Sequence, residues 1–197
     1  MSHLEQLPFR LGTWISSTDE SGNDLSADLV GREYDVPFLD PNNSVSQPVK
    51  LKNASNIRVR IVKNASGGTL TAKKAVVYST TDGKHGLEVA GHPTASHPKV
   101  AHFVDPLVGS VPNGALFYVV VGGTTIAKTS TTLPSAIAAG DPVAVDAGGG
   151  IIKLELSATP TDQEVFDRVL AAVGVAAEAR ATTDTDTDTL IRLEWRA

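Results

Sequence analysis

Three stretches of this 197-residue chain hold residue types that could do chemistry. The first is "VVVGGTTIAKTS", Val119 to Ser130, where an apolar run meets two glycines and then Lys128-Thr129-Ser130. A phosphate-binding loop reads G-x-x-x-x-G-K-[ST], with its backbone amides and lysine around the phosphates. Counted from Gly122, the second glycine is replaced by Ala127. That glycine lets the amides turn inward, often at a dihedral only glycine adopts cheaply. A helix should follow, yet "TTLPSAIAAGDP" brings Pro134 and Gly140-Asp141-Pro142. The stretch therefore reads as a strand, a Gly-Gly turn and a returning strand, and nucleotide hydrolysis is set aside.

The second stretch holds four of the five histidines, His85, His92, His97 and His102. Their spacings match neither the helical i, i+4 pair nor a close strand pair of metal ligands. His92 and His97 each precede proline, which favours extended backbone. Solvated loop histidines are the expectation, with metal binding as the alternative. The third stretch, "TTDTDTDT", spaces Asp184, Asp186 and Asp188 by two, like the early ligands of a calcium loop. The glycine and distal glutamate of an EF-hand are missing, so a solvated hairpin tip is expected and metal stays the alternative. Ser135 has no G-x-S-x-G elbow around it. No acid sits in a recognisable motif, although carboxylates paired in space are invisible in a sequence. No cofactor is expected. The chain has no cysteine, which excludes thiol catalysis, disulfides and cysteine-ligated zinc.

The elements that would position these residues are mostly strands. "NIRVRIVKN" alternates Ile57, Val59 and Ile61 against Arg58 and Arg60, the period of a half-buried strand. "TAKKAVVYS" and "LEVA" follow after turns, and a long proline-marked connection leads to "ALFYVVVGG". "DPVAVDA" and "IIKLELS" flank three glycines as a hairpin. "TPTDQEVFDRVLAAVG" carries a capping box, Thr161 with Glu164, and apolar residues at helical spacing, with Gly174 as the stop. "VGVAAEA" and "TLIRLEWRA" close the chain as strands. The expected fold is all-β: a compact antiparallel sandwich or barrel with one short helix and an extended N-terminal arm.

Charge divides the chain in the same place. Residues 1–48 carry eight acids and two bases, whereas residues 50–74 carry seven bases and no acid. Residues 1–47 read as an acidic arm and 48–197 as the β-rich domain. The arm holds Phe9, Leu11, Trp14, Ile15, Tyr34 and Phe38, anchors that purely disordered tails lack. They either pack on their own domain or dock onto another subunit. The basic block lacks the interleaved aromatics of single-strand binders, so an acidic protein surface, such as the arm of a neighbouring copy, is preferred to nucleic acid. No secretory signal is expected from the N-terminal residues, and no apolar run approaches the ~20 residues of a membrane span.

The order of "RVRIVKNASGGTLTAKKAVVYS", "VPNGALFYVVVGGTTIAKTS", "AIAAGDPVAVDAGGGI" and "VGVAAEA" resembles the head decoration, or cement, proteins of tailed bacteriophages. The matching elements are Asn64 to Leu70, Val111 to Gly122, Ala139 to Pro142 with Gly148 to Gly150, and Val173 to Glu178. The resemblance spans roughly residues 57–196. It implies a structural virion protein without enzymatic activity. Such a protein sits on the outside of the expanded capsid, is made in the host cytoplasm, and clamps neighbouring major capsid subunits as a homotrimer. It implies no nucleic-acid or membrane partner. On that reading Phe9, Trp14, Tyr34, Phe38, Arg58 and Arg60 are the capsid or subunit contacts. A carbohydrate-binding β module on the virion, or a β-fold hydrolase, is the alternative.

Overall fold

The computed structural model describes residues 7–37, 56–98 and 101–193. Phe38 of the contact set and Trp195 of the closing strand lie outside them. The described chain contains two helices, α1 (Ser26–Leu29) and α2 (Asp162–Ala171), and twelve strands. The strands are β1 (Glu33–Pro37), β2 (Asn56–Asn64), β3 (Leu70–Thr71), β4 (Ala75–Tyr78), β5 (Glu88–Gly91), β6 (His102–Val104), β7 (Ser110–Val111), β8 (Leu116–Lys128), β9 (Pro142–Val145), β10 (Ile151–Lys153), β11 (Ala172–Ala176) and β12 (Asp188–Leu193). The chain is all-β, with α1 a single turn and α2 the helix that the Thr161 cap announces.

Two strand rings share β8. In the first, β2 pairs with β5, β5 with β4, β4 with β6, β6 with β8, and β8 returns to β2. All these pairings are antiparallel except β2 with β5, which is parallel. One face of each strand meets in a single cluster: Val62, Val89, Val76 and Tyr78, Val104, and Phe117 with Val119. That shared face is the interior of a small closed barrel, filled by side chains. The two-stranded ribbon β3–β7 brings Leu70 and Val111 into the same cluster.

The second ring uses the C-terminal half of β8, then β12, β11, β9 and β10. It closes where Ile151 bridges Thr129 and Ser130 N–H donates to Ile151 O at 2.9 Å. A larger core lies between this ring and the outer face of the first, joining Ile61, Phe103, Tyr118 and Val120 to Val143, Ile151 and Ile191. β8 is thus buried on both faces along its first five residues. This explains why "LFYVV" is continuously apolar where a half-buried strand would alternate.

The expected Gly122-Gly123 hairpin does not form; β8 runs through both glycines to Lys128. The ladder to β2 slips at this point, between Arg58/Gly122 and Val59/Val120. Gly123 takes φ 85°. Glycine in a strand interior marks a bulge or a sharp bend. Here it lets one strand leave β2 and continue beside β12, so the partner returning along β8 comes from the end of the chain.

Residues 7–37 lie on the body. Ile15 and Leu116 exchange backbone hydrogen bonds of 3.0 and 2.9 Å. β1 then extends the sheet beside β2, pairing Tyr34 with Val59 and Val36 with Ile57.

Candidate functional site

The two arginines of β2 face the two acids of β1. Arg58 Nε donates to Asp35 Oδ1 at 2.9 Å and Arg60 Nε donates to Glu33 Oε1 at 2.8 Å. The acidic partner of this basic pair is therefore supplied by the same chain. Arg60 shares its face of β2 with Val62, the face that lines the first barrel. Its guanidinium lies 5.9 Å from the Tyr78 ring centroid and donates to Tyr78 Oη at 3.4 Å. Tyr78 in turn meets the edges of His85 and His102, with centroids 5.9 and 5.2 Å apart. Burial, reinforced by the Arg60 charge, depresses the His102 imidazole to about 4, so it is neutral at physiological pH.

The histidines do not gather. Among the described residues no three His, Asp or Glu side chains are placed to hold a metal ion. Of His85, His92, His97 and His102, only His85 is an exposed loop residue as expected. His92 accepts from Thr71 N–H through Nε2 at 3.1 Å, and its Nδ1 lies 2.8 Å from Ala75 O. His97 takes φ 61° and receives Arg168 of α2 at its Nε2. His102 belongs to β6, a three-residue strand inside the long proline-marked connection, too short to show a period in the sequence.

The acidic tip joins β11 to β12 with Asp186 exposed, as expected, and lysines pin it at its base. Asp188 is held by Lys73 at 2.5 Å and Lys128 at 3.3 Å, and Asp186 by Lys74 at 3.7 Å. Asp184 turns back onto Ala181 N–H at 2.9 Å. Burial works to raise the Asp188 carboxyl, but the two lysines outweigh it and hold it below the usual carboxylate range.

Of the aromatic anchors, Phe9 stacks on Tyr118 at 4.4 Å, and Tyr118 Oη donates to Phe9 O at 2.9 Å. Tyr34 is buried, while Trp14 remains 45 % exposed. The segment is latched by Asp105, which is 2 % exposed and accepts Gly12 N–H at 2.7 Å and Leu107 N–H at 2.9 Å. Neither Asp105 nor its role is signalled in the sequence, because its partners are backbone amides up to 93 residues away.

Among the described residues, the grouping nearest to a hydrolytic constellation is Ser96, His97, Ser130 and Asp146. Ser130 Oγ donates to Asp146 Oδ2 at 2.6 Å, and Ser96 Oγ donates to Asp146 Oδ1. In a serine relay the imidazole stands between hydroxyl and carboxylate. Here the hydroxyls reach the carboxylate directly, and the Nε2 of His97 is taken by Arg168.

Two surface features stand apart from these networks. α2 exposes Val165 at 39 %, Phe166 at 59 % and Val169 at 61 %. Of its ten residues only Ala171 is buried. The helical period is legible in the sequence, but which face meets the body is not. The second feature is an apolar cavity of about 550 Å³ lined by Leu7, Leu11, Gly12, Val36 and Leu107, with Arg10 and Thr13 at its rim.

No protein-family model matches the chain, and no curated protein does. Among solved structures, it is similar to the N base of head fiber gp8.5 of bacteriophage phi29, with 17 % identity and a TM-score of 0.45. The match covers 69 % of this chain and 92 % of that one.

Proposed function

We propose that the chain is a structural virion protein that binds the outside of an expanded phage capsid, clamps neighbouring major capsid subunits and acts without enzymatic activity. The observation that carries this reading is the lock between the segments on which the sequence resemblance rests. Asn64 Nδ2 donates to Val111 O at 3.0 Å, Gly67 N–H donates to Asn113 Oδ1 at 2.9 Å, and Gly114 N–H donates to Asn64 O at 2.7 Å. In the third segment Asp141 accepts Ala138 N–H at 2.8 Å and pairs with Lys153 at 3.2 Å. The residues of the resemblance are thus committed to turns and barrel closure. They hold the turns of the β body and leave recognition to its surface.

Such a protein works by mass action: whatever binds the assembled shell and not its dissociated parts stabilises the shell. A copy that touches two subunits gains effective concentration, and self-association into a homotrimer multiplies the gain. The test is thermal release of packaged DNA from heads lacking the protein, with and without purified protein added back. Resistance restored at a saturating ratio to the major capsid protein supports the reading. Failure to bind expanded heads, or binding without a shift in release temperature, overturns it.

A further inference from the structure

We infer that copies of this chain join head to tail, Phe166 of α2 on one copy entering the Leu7/Leu11/Val36/Leu107 cavity of the next. Arg10 at the cavity rim then meets Asp162 and Asp167, which flank Phe166 on the helix. This deepens the self-association named above, yet it needs no capsid to be observed.

Three observations carry it. The first is a projecting apolar knob and an apolar hole. A phenylalanine with more than half its surface exposed stands on a helix that buries one residue of its own. The hole, about 550 Å³, has room for an aromatic ring and its neighbour Val165. The second is charge. Arg10 is exposed and no described carboxylate pairs with it; Asp162 and Asp167 are exposed and no described cation pairs with them. The remaining charges of α2 are engaged, Glu164 with Ser157 and Arg168 with His97. Two α2 faces brought together would oppose like charges, whereas α2 against the Arg10 rim pairs opposite ones. The third is position. Val36 of β1 and residues of the 7–13 segment line the hole, whereas Phe166 stands on α2, which runs directly into β11, so knob and hole share no residue. Knob and hole on different surfaces make a heterologous contact, which builds rings or filaments rather than a two-fold dimer.

The full chain is tested by sedimentation velocity and native mass spectrometry across micromolar concentrations. The wild type should associate, and Phe166→Asp, on an exposed helix position, should weaken association about tenfold or more. Thr13→Arg at the rim should do the same by blocking the hole. Mixing the two variants is decisive: one keeps a hole and the other a knob, so the mixture should form heterodimers and stop there. Arg10→Asp should weaken association severalfold, and Asp162→Arg with Asp167→Arg in the same chain should restore it. A wild type that stays monomeric, a Phe166→Asp variant that associates unchanged, or a mixture without heterodimers overturns the proposal. Shell binding by the monomeric Phe166→Asp variant would separate this contact from the capsid reading, which it leaves standing.

Discussion

Arg60 and Glu33, 27 residues apart in the chain, face each other across the β1–β2 ladder. Both side chains are about one-third exposed or less, and Tyr78 caps the arginine from within the barrel. Their neighbours Arg58 and Asp35 repeat the pair closer to solvent, with Asp35 58 % exposed. The two pairs should therefore differ in worth. Arg60→Ala removes a partly desolvated cation from a carboxylate and a phenol and should cost about 1–2 kcal/mol. Asp35→Asn should cost no more than about 0.5 kcal/mol, because exposed pairs are screened. Thermal unfolding should show Tm falling by about 2–4 °C per kcal/mol. Equal losses in the two variants would mean that burial does not set the strength of this ladder.

Asp105 should matter more than any ion pair. Its two oxygens serve Gly12 and Leu107 amides in a buried setting, so Asp105→Ala leaves two donors without acceptors at about 1–3 kcal/mol each. The loss should be local first. Hydrogen exchange at Gly12 and proteolysis near residues 9–14 should accelerate before global unfolding does. Unchanged protection at Gly12 would show that the Ile15–Leu116 bridge alone holds the segment.

Stability should fall in mild acid through His102. A base whose folded value is about 4, against 6.5 when unfolded, binds its proton more readily in the unfolded chain. Its contribution is complete above about 6.5 and is lost as pH falls from there towards 4. The full span is worth on the order of 3 kcal/mol. His92 and His97, also depressed chiefly by burial, act in the same direction. Tm measured from pH 7 to pH 4.5 should drop less for His102→Gln than for the wild type. Parallel curves would assign the acid sensitivity elsewhere.

Much of this architecture can be read from the residues, and the failures have physical causes. The alternation of Ile57, Val59 and Ile61 and the Thr161 cap depend on local geometry, and both appear as β2 and α2. Pairing is a different matter. Glu33 and Asp35 are spaced by two, as are Arg58 and Arg60, so complementary rungs of one ladder were present in the sequence; only the fold shows that they belong together. Gly122-Gly123 misleads because glycine serves a bend within a strand as well as a turn between two. His92 and His97 do lie in loops, as their prolines imply, but they are not free in solvent, because Ala75 and Arg168 from other elements engage them, and His102 stands in β6 against Tyr78.

The glycines after β9 give the sharpest test of how the two rings are fastened. Ala75 N–H donates to Gly149 O at 2.7 Å, which ties β4 of the first ring to the β9–β10 turn of the second. A Cβ on Gly149 would lie 2.5 Å from Ala75 O and 3.0 Å from Ala75 N, and its φ of +85° is already unfavourable for any other residue. Gly148 has the same kind of φ, +86°, but open space around it. Gly68 has open space, and its φ is outside the left-handed region. Alanine at the three positions should therefore separate backbone strain from steric collision. Gly68→Ala should be neutral within about 0.5 kcal/mol. Gly148→Ala should cost about 1–2 kcal/mol, from the left-handed conformation alone. Gly149→Ala should cost more than about 3 kcal/mol, because the backbone of β4 must shift and the bond between the rings breaks with it. Denaturant unfolding measures all three. If Gly149→Ala falls level with Gly148→Ala, the close approach of β4 to this turn is not what holds the rings together.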